Sequence, residues 1–153
     1  MSVQIREADL HDVAVATFLT SHLAELRTIS PPESTHALDL DGLGDPAVTV
    51  WVAYDEDQVV ASAALKDLGD GHGELKSMRT AADRQRQGLG RLMLARVLDE
   101  ARRRGFTRVS LETGSEDFFA PARQLYARAG FTECGPFGSY RHDPLSTFMT
   151  LAW

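Results

Sequence analysis

Two runs rich in β-branched and aromatic residues, VTVWVAY at 48–54 and QVVASAAL at 58–65, flank the acidic tip Asp55-Glu56-Asp57. Residue types that fit a pleated surface on either side of a turn predict an antiparallel hairpin. A shorter alternation at 3–6 predicts an opening strand. Asp9 and Asp12 mark a helix start before an apolar-periodic run that continues to about Arg27. Ser30-Pro31-Pro32 ends that helix, and 33–43 predicts a short second one before Gly44-Asp45-Pro46. After the glycine-rich GDGHG at 69–73, residues 74–80 predict a further strand. Leu89, Leu92, Met93, Val97, Leu98 and Ala101 then recur at helical spacing, with Arg91, Arg96, Glu100 and Arg103 pointing elsewhere and Gly105 as the stop. RVSLET at 108–113 predicts a strand, 120–129 an amphipathic helix closed by Gly130, and 131–135 with 146–153 the last two strands. The order β-α-α-β-β-β-α-β-α-β-β is a mixed α/β layered fold. With no repeat or linker to divide it, residues 1–153 are expected to form a single domain.

Composition adds little except at two points. Hydrophobic content of 43% and charged content of 25% are ordinary for a globular chain, and no apolar run reaches the ~20 residues of a membrane span. The start MSVQIREADLHD lacks a basic, apolar leader, so a cytoplasmic location away from membranes is expected. A single cysteine, Cys134, excludes an internal disulfide and a zinc site of the paired-cysteine kind, and is expected half-buried on a strand. No metal is expected. The net charge of −6 argues against nucleic acid as a partner. Yet residues 76–108 hold ten basic side chains against three acids, a local +7. A basic zone in an acidic protein suits a small polyanion, although Arg96 and Arg102 to Arg104 read as decoration of an exposed helix face.

That zone contains RQRQGLGRLML, residues 84–94, at the junction of a predicted strand and helix. Helix N-termini present backbone N–H groups without intrahelical partners, and glycine lets an anion approach them. The spacing lacks the Gly-Lys-Ser/Thr ending of NTPase phosphate loops and is not GxGxxG. Taken alone it fits a phosphate cradle or a tight turn for helix packing equally well.

The wider stretch MRTAADRQRQGLGRLMLARVLDEARRRGF, followed by RVSLET and ARQLYARAGF, resembles the GNAT superfamily of acyl-CoA N-acyltransferases over nearly the whole chain. Gln85, Gly88 and Gly90 match that family's Q/R-x-x-G-x-G/A signature, and Leu125-Tyr126 with Gly130-Phe131 match its second. The resemblance implies a central mixed, mostly antiparallel sheet of six or seven strands with helices on both faces, and acetyl-CoA as co-substrate. It implies that the main chain from Gln85 through Arg86, Gln87, Gly88, Leu89 and Gly90 to Arg91 holds the pyrophosphate, with Arg84, Arg86 and Arg91 adding charge. It also implies that Ser77, Met78, Arg79 and Thr80 lie on a splayed strand that binds the pantetheine arm, with the Met78 amide as oxyanion donor. Tyr126 falls on the position that protonates the leaving thiolate, where an ordinary tyrosine pKa of ~10 lies close to the thiol's ~8.5. A tyrosine there that merely fills the core is the alternative.

Direct attack by a primary amine in a ternary complex needs a base. Glu74 is the first candidate and Glu112 the second; each is equally readable as a solvated strand-end carboxylate. His72 is expected at the surface. Many family members carry an asparagine after the fifth strand; this chain contains none, so Ser115 or a backbone group takes that place, while Phe118 and Phe119 divide between acyl-tunnel wall and core. The family's acceptor region falls on Ser34, Thr35, His36, Tyr140, Arg141 and His142, with His36 and Tyr140 foremost. Arg79 or Arg141 in the pocket would favour a carboxylate-bearing acceptor such as an amino acid, whereas the acidic remainder favours a polyamine or a protein lysine. The partners expected are a small-molecule amine or a peptide, with a homodimer compatible. The rival class is an acyl-CoA sensor that binds without chemistry.

Overall fold

The computed structural model describes residues 3–31 and 38–153. The chain runs β1 Val3–Glu7, α1 Val13–Ile29, α2 Leu40–Leu43, β2 Val48–Asp55, β3 Gln58–Asp67, β4 His72–Thr80, α3 Leu89–Arg103, β5 Arg108–Gly114, α4 Ala120–Arg128, β6 Thr132–Cys134 and β7 Ser146–Ala152. Every predicted element is present in the predicted order, and the class is the mixed α/β fold expected. Local chemistry sets the ends. The Asp12 carboxylate accepts from the Ala14 amide and caps α1, and Ser30, extended before Pro31, ends it. The second helix is a single turn capped by Asp39; the expected start of that helix at 33–37 lies outside the described residues.

The seven strands form one sheet ordered β1-β2-β3-β4-β5-β7-β6. Each neighbouring pair is antiparallel except β4 and β5, which are parallel. α3 covers one face through Leu89, Met93, Leu94, Val97, Leu98 and Ala101. Val15 and Leu19 of α1 cover the other over Val50, Val52 and Ala64. One expectation on α3 fails: Leu92 is 44% exposed, while Leu94 is buried. At about 100° per residue, Leu92 falls outside the arc that Leu89, Met93, Leu94, Val97, Leu98 and Ala101 share. No helix among the described residues is long and apolar enough to cross a membrane.

Two features at the centre of the sheet create the site. Parallel pairing of β4 with β5 stops at Leu75 and Leu111, so from Lys76 onward β4 leaves β5 while still pairing with β3 through Arg79 and Thr80. The register with β3 also slips: Lys76 lies opposite Ala64 and Arg79 opposite Ser62. Ser77, at φ +53°, makes the bulge, and its carbonyl accepts from Ser62 Oγ at 2.7 Å. The extra residue places Glu74, Lys76 and Arg79 along one face, the α1 face, despite their uneven spacing.

Candidate active site

A cleft of about 1190 Å³ occupies the opening between β4 and β5 and reaches both faces of the sheet. On the α3 side its floor is the turn before α3. A 3-10 turn at Ala82–Arg84 leads to Arg86 at φ +65° and Gly88 at φ +80°, and Gly88 begins α3 with no side chain capping it. The first helical bond is from the Leu92 amide to the Gly88 carbonyl, so the amides of Leu89, Gly90 and Arg91 have no intrahelical acceptor. A Cβ built on Gly88 would enter open space, whereas one on Gly90 would meet Leu125 Cδ2 at 3.2 Å. Gly88 therefore keeps space open before the helix end, and Gly90 lets the helix sit close to Leu125. This end fits an anionic ligand held on main-chain amides.

Of the residues read from the sequence as cofactor-binding, Ser77, Met78, Arg79, Thr80, Gln85, Arg86, Gly88, Gly90 and Arg91 line this cleft. Three do not. The Leu89 side chain is buried in the core, and Gln87 lies outside the lining. Ser115 is turned away: its hydroxyl donates to the Pro144 carbonyl at 2.7 Å and its amide to Leu145, and Thr113 and Gly114 take its place in the wall. Arg84 adds no charge to the cradle, because its guanidinium is held by Asp55 at 2.5 Å and by Gln58. Phe118 and Phe119 both line the cleft and meet edge to face; Phe119 closes over Gly114, while Phe118 is 51% exposed.

Tyr126, on α4, is buried against Phe131 and reaches the cleft from the α3 side. Burial, followed by the nearby Glu112 carboxylate, pushes its hydroxyl well above the usual tyrosine range. The sequence-based match to a thiol pKa is therefore lost, and the shift favours the protonated hydroxyl.

On the α1 face the bulged strand presents Glu74, Lys76 and Arg79. The Glu74 carboxylate is not a solvated strand end: its side chain is 6% exposed, Lys76 Nζ lies 3.0 Å from Oε2, and the Tyr140 hydroxyl donates to the same oxygen at 2.5 Å. Lys76 Nζ also donates to Tyr140 Oη at 2.9 Å. Arg79 is gripped by Glu25 of α1 through two bonds of 2.7 and 3.1 Å. Glu112 lines the cleft from β5. His72 is half-buried rather than at the surface, its Nε2 2.7 Å from Ser110 Oγ; burial, then the charge of Arg108, lowers its pKa. Arg141 and His142 are exposed and outside the lining, and Ser34, Thr35 and His36 lie outside the described residues.

Three residues that sequence reasoning did not single out belong to this wall: Lys76, Glu25 and His22. Glu25 and His22 sit one helical turn apart on the face of α1 that meets the bulge, a placement with no motif to announce it.

The model of the acetyltransferase (GNAT) family matches residues 10–131. The chain is 45% identical to the uncharacterized N-acetyltransferase YsnE of Bacillus subtilis over 97% of its own length and 98% of that protein's. It is 44% identical to YedL, an uncharacterized N-acetyltransferase of Escherichia coli, over 96% and 92%. Among solved structures, a Klebsiella pneumoniae protein assigned as an acyl-CoA N-acyltransferase superposes with a TM-score of 0.83 at 26% identity, covering 98% of this chain and 97% of that one. The PaiA N-acetyltransferase of Thermoplasma acidophilum, solved with coenzyme A, shares the fold at a TM-score of 0.74 and 13% identity over the full length of both.

Proposed function

The chain belongs to the acetyltransferase (GNAT) family and is an N-acetyltransferase, and from that premise we propose that it transfers acetyl from acetyl-CoA directly to a primary amine entering from the α1 face. The observation that carries this reading is the β4–β5 opening, which joins an uncapped helix N-terminus on one face of the sheet to a carboxylate-bearing wall on the other. A fold relative holds coenzyme A, which supports that donor. Its pyrophosphate is held by the amides at the start of α3 near Gly88, and its thioester supplies an activated acyl group. Met78, on the stretch of β4 that has left β5, offers its amide to the carbonyl oxygen where negative charge develops. Tyr126 donates a hydrogen bond to the departing sulfur, and Glu74, with Glu112 behind it, is the proton acceptor for the amine.

The acceptor is an amine without a carboxylate to be gripped. Arg79, which would have recognised one, is held by Glu25, and Arg141 is exposed and outside the cleft lining. A polyamine or a lysine side chain suits this wall better than a free amino acid, because three carboxylates, Glu25, Glu74 and Glu112, line it against two cations.

Thiol release from acetyl-CoA tests the reading, run over spermidine, putrescine, free amino acids and a lysine-containing peptide, with coenzyme A binding measured in parallel. Release with the diamines or the peptide, and little with amino acids, is the expected result. Tight coenzyme A binding with silence on every amine would convert the protein into an acyl-CoA sensor.

A further inference from the structure

We propose that the proton leaves the acceptor amine through the Tyr140 hydroxyl, which relays it to Glu74, and that Lys76 is the positioning residue that holds the pair. This inference rests on the acetyl-transfer reading above and assigns the path within it.

The geometry argues for a relay rather than direct contact. With 6% of its side chain exposed, Glu74 has little surface to offer a substrate nitrogen. Tyr140 is half-buried, lines the same cleft, and places its hydroxyl on Glu74 Oε2 at 2.5 Å. Its ring is fixed by Phe137 and Phe148, with centroids at 5.1 and 5.5 Å, so the hydroxyl has a defined position. Lys76 touches both oxygens, at 3.0 and 2.9 Å, and closes a three-membered network in which charge that moves between them meets the same ammonium. Aromatic packing alone does not require that a lysine and a glutamate be drawn together beneath the tyrosine.

As the neutral amine nitrogen bonds to the thioester carbon, its N–H bond breaks and the proton passes to Tyr140 Oη, while the tyrosine's own proton passes to Glu74 Oε2. Tyrosinate need not accumulate, which matters because burial and then the charge of Glu74 push its formation well above the ordinary range. The C–S bond breaks, the thiolate takes up a proton from solvent, and Glu74 returns its proton to solvent, so the protein ends as it began. Other charged groups facing this network are Glu112 on β5, His72 on β4, and the Arg79–Glu25 pair with His22 from α1.

The test uses the full chain with the best amine of the panel above. Tyr140→Phe should lower kcat by 100-fold or more, leave KM for acetyl-CoA within twofold, and abolish the solvent deuterium isotope effect. Glu74→Gln should cost about as much, and the double variant no more than either, because the two act as one path. Lys76→Met should lower kcat tenfold or more while KM for acetyl-CoA stays within twofold, since the Tyr140 and Glu74 oxygens lose the ammonium that bridges them; Lys76→Arg should restore it. A Tyr140→Phe enzyme within threefold of wild type, additive losses, or an unchanged kcat in Lys76→Met would each overturn the relay. Wild-type silence on every amine would instead bring down the acetyl-transfer reading on which it rests.

Discussion

On α1 the ring of His22 lines the cleft with Nδ1 sealed from solvent and unpartnered among the described residues. Burial, reinforced by the Arg79 charge, holds its pKa down to about 4, against 6.5 for a free histidine. The unfolded chain therefore binds the proton more readily, and stability from this residue is complete above pH 6.5 and is lost as pH falls toward 4. The difference amounts to at most ~3 kcal/mol at 1.36 kcal/mol per unit. Urea midpoints of wild type and His22→Leu should diverge accordingly, the wild type losing ground between pH 7 and 4 and the variant staying flatter; parallel curves would show that the ring is hydrated. The two glycines of the cradle make a second contrast. Gly88→Ala places a methyl in the open space before α3 and costs ~1 kcal/mol for its left-handed backbone. Gly90→Ala asks only that the Leu125 side chain give by a few tenths of an ångström. Titration calorimetry with coenzyme A should show at least a tenfold loss for the first and a smaller loss for the second. Equal losses would mean that both positions face the ligand.

At the scale of elements, the bond between α1 and the bulge of β4 is the Glu25–Arg79 pair, with side chains 34% and 14% exposed. Arg79, the more buried partner, is the one left uncompensated when Glu25 is removed. Glu25→Ala should thus destabilise by ~1–3 kcal/mol, and hydrogen exchange should speed up in α1 while α3, held by its own core, is unchanged. The double variant with Arg79→Ala should cost less than the two losses added together. Uniform acceleration through both helices would refute a local clip. This pair also marks where legibility in the sequence stopped. The hairpin β2–β3, the capped α1 and the amphipathic α4 follow from residues within a few positions of one another. The bulge does not: Ser77 adopts φ +53° without being glycine, so nothing local forecasts that Lys76 and Arg79, three apart on a strand, share a face. Without that, the partners Tyr140 and Glu25, 64 and 54 residues away, could not be assigned. The turn before α3 was readable because a motif of close neighbours makes it; of the α1-side wall, Glu74, Glu112 and Tyr140 were named from the sequence, but their meeting with Lys76, Glu25 and His22 was not, because four separated segments bring them together.

For the whole molecule, the balance of charge along the cleft is uneven in a way the net −6 conceals. On the α1 face the cations Lys76 and Arg79 are each paired with a carboxylate. Along the α3–α4 end, Arg86, Arg91 and Arg128 line the cleft, are exposed, and have no carboxylate within 4 Å among the described residues. An otherwise acidic surface repels a polyanion, so its approach is channelled to the mouth where these guanidiniums stand. Steering of that kind is screened over ~10 Å at 0.1 M salt. Raising salt from 20 to 200 mM should therefore lower kcat/KM for acetyl-CoA several-fold with little change in kcat. Arg91→Glu combined with Arg128→Glu should lower the low-salt value by tenfold or more and flatten the salt dependence. Arg96→Glu makes half that change in charge, on the same helix as Arg91, at a side chain that lies outside the cleft and beside Glu100. It should leave both the value and the slope nearly intact. If Arg96→Glu flattens the dependence by half as much as the cleft pair does, in proportion to its charge, the field is set by total charge and the mouth has no special part in it.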